Sequence, residues 1–160
     1  MLYLDSSALV KWYVRESGTD RAREILSTDQ AWFAGAHTWT EVAIALDRRV
    51  TPQERDAALE RFRTDWGRIT TVAMDGVVCA RAADLGIGHR LRTLDALHLA
   101  AAERAGGADL TFVTFDARLA VAARAMGWPV AGGGVCRRTR GRTRLADRLG
   151  RATAAHRRAT

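Results

Sequence analysis

The chain has 160 residues, of which 25 are Lys or Arg, 18 are Asp or Glu and 48% are hydrophobic. This length and apolar content suit one globular domain with a sizeable core and exclude a wholly disordered chain. The charge is uneven, because residues 137–160 hold nine Arg and one Asp, whereas residues 1–136 hold 16 basic and 17 acidic residues. Lys11 is the only lysine, which excludes a Walker A nucleotide-binding loop.

Along the chain, apolar runs alternate between strand-like and helix-like periods. Five short runs predict strands, at residues 2–4, 31–34, 69–73, 110–115 and 129–131. The intervening patterns predict helices at 6–16, from 19 or 20 to 26, from 38 onwards, and at 51–65, 75–85, 93–105 and 117–126. The Thr51-Pro52-Gln53-Glu54 start is typical of a capping box with proline at the first helical position. Gly86 and Gly88 predict the end of the helix before them.

This alternation predicts an α/β fold with a mostly parallel sheet covered by helices on both faces. Sheets of this kind place ligand sites at the carboxyl ends of their strands. The glycines at 132–134 mark the expected end of the fold. We therefore predict one domain over residues 1–134 and an Arg-rich, flexible C-terminal tail over residues 135–160.

Four acidic residues are expected at that carboxyl edge. Asp5 and Asp116 directly follow predicted strands, while Glu41 and Asp95 lie in the first turns of predicted helices. Carboxylates brought together repel one another unless a cation compensates, and Mg²⁺ prefers such hard oxygen ligands. Taken singly, each acid is better explained as a helix cap or as a favourable charge at a helix start, and only the four together favour a metal site.

Four stretches together resemble a PIN-domain ribonuclease of the VapC toxin type, from type II toxin–antitoxin systems. They are LDSSALVKWYVRE (4–16), WTEVAIAL (39–46), TLDALHLAAA (93–102) and TFVTFDARLAVAARAMG (111–127). The resemblance spans residues 1 to about 131 and implies a three-layer α/β/α sandwich. It also implies a metal-dependent endoribonuclease that hydrolyses RNA phosphodiester bonds with a metal-activated water.

The resemblance assigns roles to residues that match the family motifs. The implied catalytic residues are the four acids, Asp5, Glu41, Asp95 and Asp116. Asp5 and Asp95 are expected to hold Mg²⁺, with Mn²⁺ as the alternative ion. Thr114 is expected to orient a carboxylate or water by its hydroxyl, and Ser6 is similarly placed beside Asp5.

The first predicted helix is apolar nearly all round, which is typical either of a core helix or of a helix with a partner surface. The resemblance implies a small VapB-like antitoxin that binds an apolar groove, with Trp12, Tyr13 and Trp39 as candidate contacts, since aromatic residues are enriched at interface anchors. It also implies a homodimer.

The histidines and two arginines are assigned less specific roles. His98 follows Asp95 by one helical turn, and we expect packing or a hydrogen bond rather than metal ligation there. His37 is expected in a loop. Arg90 and Arg92 precede the Asp95 helix, where they either contact substrate phosphates or are simply exposed.

Two further questions stay open at the level of sequence. The Arg-rich tail is either a salt-sensitive nucleic-acid arm or an extension without a binding role. The domain as a whole has an alternative interpretation, a non-catalytic PIN-like module that binds RNA or protein. A haloacid-dehalogenase-like phosphatase is excluded, because Ser7 stands where that family needs a second aspartate.

Three features of the sequence bear on the cellular location of the protein. No run of about 20 apolar residues predicts a membrane span, and the first residues lack the features of a signal peptide. Cys79 and Cys136 lie far apart without zinc-ligand spacing. We therefore expect a cytoplasmic protein without a disulfide scaffold.

Overall fold

The computed structural model describes residues 1–133. It contains one sheet of five parallel strands in the order β3-β2-β1-β4-β5. The strands are β1 (Leu2–Leu4), β2 (Trp32–Gly35), β3 (Thr70–Val72), β4 (Thr111–Thr114) and β5 (Val130–Gly132). The predicted tail lies outside the described residues, and the domain boundary at residue 134 stays a prediction.

Seven α-helices connect these strands. They are α1 (Ser6–Tyr13), α2 (Thr19–Leu26), α3 (Thr38–Arg49), α4 (Pro52–Trp66), α5 (Gly76–His89), α6 (Thr93–Ala105) and α7 (Ala117–Ala125). Helix α4 begins with the predicted capping box, in which Thr51 and Glu54 satisfy each other's backbone N–H groups. No helix within residues 1–133 is both long and apolar enough to cross a membrane.

Side-chain alternation along the strands divides the core into two layers. Tyr3 of β1 and Phe112 of β4 pack with apolar residues of α5, α6 and α7. Leu4 and Val113, their immediate neighbours, pack with residues of α1 to α4. Because successive strand residues point to opposite faces, the sheet is covered on both sides. The predicted three-layer α/β/α sandwich with a parallel sheet is confirmed.

Helix α5 differs from its prediction, because it continues through Gly86 and Gly88 to His89. Ala82 and Leu85 bury against α6 in one apolar cluster, and this packing outweighs the low helix propensity of glycine. The residue that terminates the helix, just after His89, is Arg90, which adopts a left-handed conformation with φ of 53°.

Two helix ends near the N-terminus also differ from prediction. Helix α1 ends at Tyr13 rather than at residue 16, because Val14 is extended. Glu16 then pairs with Lys11 and Arg49. Helix α2 is preceded by Gly18 in a left-handed conformation, so the predicted cap at Thr19 or Asp20 is wrong.

The central position of β1 determines where the site forms. Leu4 of β1 lies in register with Val113 of β4, and the Asp5 N–H donates to the Val113 carbonyl at 3.2 Å. The chain segments that follow these two strands therefore leave the sheet side by side, at its carboxyl edge.

Candidate active site

A cavity of about 410 Å³ opens at the carboxyl edge of the sheet. It is lined by residues from four separate parts of the chain: Asp5, Ser6, Ser7, Glu41, Arg92, Thr93, Leu94, Asp95, His98, Asp116 and Leu119. All four predicted acids are in this set. The structure thus brings together carboxylates that are up to 111 positions apart in the sequence.

Asp5 is the most deeply buried of the four acids, with 2% of its surface exposed. Its Oδ1 caps α1 by accepting from the Ala8 N–H at 2.9 Å, and its Oδ2 accepts from the Thr114 hydroxyl at 2.6 Å. The Ser7 hydroxyl, which has one proton to share, lies 2.7 and 2.9 Å from the two oxygens. Three donors face about four lone-pair sites, so the carboxylate retains capacity for one further ligand.

Burial raises the pKa of Asp5, and the charge of His98 together with these three hydrogen bonds works in the opposite direction. The raised pKa means that the folded protein disfavours the ionised form of Asp5. A cation in the cavity would restore the balance, because it favours the ionised carboxylate.

Two hydroxyl groups connect Asp5 to the end of β4. Thr114 donates to Asp5 and accepts from the Asp116 N–H at 3.0 Å, as predicted for an orienting threonine. Ser7 donates to Asp5 and accepts from the Phe115 N–H at 2.8 Å. The expectation that Ser6 supports Asp5 is wrong, because Ser7 takes that place and Ser6 bonds instead to Glu41.

Asp116 and Asp95 form the other side of the cavity. The Oδ1 of Asp116 caps α7 by accepting from the Arg118 and Leu119 N–H groups at 2.7 and 3.0 Å. Burial and the nearby charge of Asp116 raise the pKa of Asp95, and Arg118 and Arg92 partly compensate. Capping and cavity lining are therefore compatible roles for Asp5 and Asp116.

Glu41 is joined to α6 by a hydrogen bond from His98. The Nε2 of His98 lies 2.8 Å from the Glu41 carboxylate, and its Nδ1 lies 3.4 Å from the Tyr3 hydroxyl. Burial acts to raise the pKa of Glu41, but the His98 hydrogen bond and the charges of His98 and His37 hold that pKa below its usual range. His98 is thus buried and hydrogen-bonded, as predicted.

Comparison with known proteins identifies the family. A PIN-domain family model matches residues 2–125. Ribonuclease VapC46 of Mycobacterium tuberculosis is 35% identical over 129 residues, which is 81% of this chain and 95% of that protein. Ribonuclease VapC35 of the same species is 36% identical over 141 residues, or 86% of this chain and all of that protein. The chain belongs to the VapC family of PIN-domain ribonucleases.

Solved structures agree with the fold of this VapC-family chain. Mycobacterium tuberculosis VapC20, described as a Sarcin-Ricin loop cleaving toxin, has a TM-score of 0.64 at 14% identity, covering 76% of this chain and 95% of its own. FitAcB from Neisseria gonorrhoeae has a TM-score of 0.62 at 20% identity, and the match covers 82% of this chain and 96% of FitAcB. At such low identity these similarities concern the fold alone.

The sequence interpretation of this VapC-family chain missed one part of the site. His37 lies in the turn just before α3, as predicted, but the closeness of its ring to that of His98, 4.3 Å between centroids, was not expected. Among the described residues, His37, Glu41 and His98 are the one group of three whose possible metal-ligand atoms all lie within 4.8 Å of one another. The four-residue spacing from His37 to Glu41 could have revealed the pair, since it places both residues on one helical face.

The three aromatic residues proposed as partner contacts lie in different environments. Trp12 packs edge-on against Trp32 and lines a surface cavity of about 310 Å³. Tyr13 is 7% exposed and donates a hydrogen bond to Asp65, and Trp39 stacks on Phe62 at 4.7 Å. Trp12 and Tyr13 therefore line two different cavities, since Tyr13 borders a second one of about 420 Å³, while Trp39 packs mainly against the aromatic core.

Proposed function

We propose that this VapC-family ribonuclease cleaves RNA phosphodiester bonds at the acidic cavity, with Mg²⁺ as its ion and Mn²⁺ as a substitute. The observation that carries this proposal is the convergence of Asp5, Glu41, Asp95 and Asp116 on one cavity from four chain segments. A chance arrangement of helix caps does not require its members to share a cavity.

The donor set fits a hard divalent cation. Mg²⁺ is bound in proteins through one or two carboxylates, with waters and substrate phosphate completing the shell. Asp5, with one lone-pair site to spare, and Asp95, whose pKa is raised by burial and by Asp116, would hold the ion. When bound, it would lower the pKa of water and offset negative charge on the phosphodiester.

The remaining residues orient groups around that position. Thr114 and Ser7 fix the Asp5 carboxylate. Asp116 uses Oδ1 for its cap, which leaves Oδ2 for a water or ligand role, and Glu41 is the other carboxylate of the cavity. Arg92 lines the same cavity and is suited to contact a substrate phosphate, whereas Arg90 is absent from the lining.

The reaction we propose is hydrolysis with in-line attack of water on phosphorus. The bond from phosphorus to the 3′ oxygen breaks, the water supplies the new phosphate oxygen, and a proton passes to the leaving oxygen. The products are a 5′-phosphate and a 3′-hydroxyl. Glu41 and Asp116 are the carboxylates placed to accept the proton of the attacking water.

Cleavage of labelled RNA by the purified protein with Mg²⁺ or Mn²⁺ tests the assignment. We expect Asp5→Asn and Asp95→Asn each to lower the rate by about 100-fold or more, since even residues behind metal ligands commonly cost 10–100-fold. Asp109→Asn, an exposed acid just before β4 at the opposite edge of the sheet, is the matched control and should cleave normally.

If either site variant cleaves RNA as fast as the wild type, the residue assignment is wrong. A wild-type protein that binds RNA but leaves it intact with both ions would instead indicate the alternative function, a non-catalytic binding module.

We further infer that the biological role is that of a toxin restrained by a small antitoxin. The structural relatives include a toxin–antitoxin complex from Klebsiella pneumoniae, with a TM-score of 0.57 at 18% identity. The match covers 72% of this chain and 85% of the chain in that complex. We place the antitoxin in an apolar groove near Trp12, Tyr13 and Trp39, with Trp12 as its anchor, since Trp12 lines a cavity together with Trp32 and Leu26. A homodimer and a cytoplasmic location complete the proposal.

A further inference from the structure

Beside the acidic cavity lies a second group of possible metal ligands, built from α6 and the start of α3. His37 and Glu41 are one helical turn apart, and His98 faces them from α6. We propose that His37, Glu41 and His98 form a binding site for a divalent transition-metal ion of the Zn²⁺ type. This inference does not rest on the proposed function, although the two sites share Glu41.

The strongest observation is an unpaired nitrogen on His37. Its Nδ1 lies 3.1 Å from the Met74 sulfur, whereas its Nε2 is buried without a hydrogen-bond partner among the described residues. Buried polar atoms are nearly always paired, so an orphan requires an explanation. With the ring proton on Nδ1, the Nε2 lone pair faces Glu41 at 3.9 Å and is available to a metal ion.

The distances from the Glu41 carboxylate to the two histidine nitrogens lie on either side of the separation expected between ligands of one metal ion. Zinc bonds of about 2.0–2.1 Å in tetrahedral geometry place neighbouring ligand atoms about 3.4 Å apart. The Glu41 carboxylate lies 2.8 Å from His98 Nε2 and 3.9 Å from His37 Nε2. The first separation must open and the second must close by roughly half an ångström, which side-chain rotation can supply.

Tyr3 provides the support that a ligating histidine needs. When Nε2 of His98 binds a metal, the ring proton moves to Nδ1, which lies 3.4 Å from the Tyr3 hydroxyl oxygen. The Gly35 N–H donates to that same oxygen at 3.1 Å and so fixes its position. Histidine ligands generally donate their second N–H to such a partner, and this contact keeps the ring oriented.

The ligand types determine which ion is preferred. Two imidazoles and one carboxylate suit Zn²⁺, Co²⁺ or Ni²⁺ rather than Mg²⁺, which favours oxygen ligands. Three protein ligands leave one coordination position open, as in catalytic zinc sites. Because Glu41 and His98 both line the acidic cavity, that open position would be reached from the cavity.

Titration of the EDTA-treated, full-length protein with Co²⁺ near pH 7 tests the site, because low-coordinate Co²⁺ absorbs visible light strongly. We expect a tight site of one equivalent that excess Mg²⁺ does not displace. His37→Gln should weaken it by on the order of 100-fold or more, since loss of a direct ligand costs at least as much as loss of a supporting residue. His89→Gln, an exposed histidine at the end of α5, is the matched control and should bind as the wild type does.

Two further variants keep the outcome decisive. Glu41→Gln should also lose the absorption, and it replaces His37→Gln as the deciding variant if circular dichroism shows that His37→Gln does not fold. Asp95→Asn should keep the absorption, because Asp95 belongs to the proposed magnesium site alone. Retention of wild-type Co²⁺ affinity in a folded His37→Gln protein, or its loss in Asp95→Asn, would overturn the proposal.

Discussion

A single hydroxyl connects two of the acids at the candidate active site. Thr114 is fully buried, donates to Asp5 and accepts from the backbone of Asp116. Thr38 offers a natural comparison, because its hydroxyl is equally buried but has no hydrogen-bond partner among the described residues. The same substitution to valine should therefore cost stability at Thr114 but not at Thr38.

Replacing Thr114 with valine keeps its shape but removes both hydrogen bonds. We expect Thr114→Val to lower the free energy of unfolding by about 1–3 kcal/mol, because a buried carboxylate and a partly buried N–H lose a partner. Thr38→Val should leave that free energy unchanged or raise it. Urea denaturation of both variants measures the difference, and equal losses would show that the Thr114 bonds do not stabilise the site.

The sequence predicted the positions of individual residues correctly where those residues directly follow a strand. Asp5 and Asp116 follow strands, and the rule that parallel strands place ligands at their carboxyl ends located both. It was harder to predict which of two neighbouring serines supports Asp5. Ser6 and Ser7 are adjacent in sequence, and the position of the Ser7 hydroxyl depends on a hydrogen bond from the Phe115 N–H, just after β4 and 108 positions away.

At the scale of elements, α5 shows packing overriding local propensity. Two glycines near its C-terminal end predicted termination, yet the helix continues to His89 because it packs along α6. A glycine inside a helix costs stability through backbone entropy. At Gly88 nothing lies within 4 Å of where a Cβ would stand, so a side chain there would meet no obstacle.

Gly88→Ala should therefore raise the free energy of unfolding by about 0.5–1 kcal/mol. The matched change, Gly132→Ala, should lower it by on the order of 1–3 kcal/mol or more, because Gly132 has φ of +116° and a Cβ would lie 2.1 Å from the Thr114 carbonyl oxygen. Thermal and urea unfolding measure both. Destabilisation by Gly88→Ala would mean that α5 is strained in this region.

The elements themselves were largely predictable, and their ends were not. Every predicted strand and helix exists, because periodicity reflects burial directly. The errors fall where the chain enters or leaves an element, at Tyr13, Gly18 and Arg90. Such ends depend on tertiary partners, for example the Arg49 side chain that pairs with Glu16 beyond the end of α1.

Across the whole molecule, the candidate active site gathers four acids, whose negative charge the nearby arginines compensate only in part, within a body that is close to neutral in total. The raised pKa of Asp95 has a defined consequence for stability. Below the ordinary aspartate pKa of about 3.9, Asp95 is protonated in both the folded and unfolded states. As the pH rises through the higher pKa of the folded state, ionisation becomes costly for the fold, and the cost is complete at neutral pH.

Asp95→Asn should therefore stabilise the protein at pH 7 in EDTA, by less than about 1 kcal/mol because water screens this partly exposed group. The gain should shrink as the pH falls towards 4. Added Mg²⁺ should reverse the order, since only the wild type gains stability from binding the ion. Thermal unfolding across pH tests this, with Asp109→Asn as a control, and a pH-independent difference would contradict the charge argument.

The sheet order also bears on when the enzyme can become active during its own synthesis. Strand β1 is made first, but its neighbour β4, with Thr114 and Asp116, comes more than 100 residues later. A chain that is still being synthesised therefore contains Asp5 long before its partner Thr114. The proposed catalytic centre is complete only after nearly the whole domain has been synthesised, so a truncated chain that ends before β4 is expected to lack ribonuclease activity.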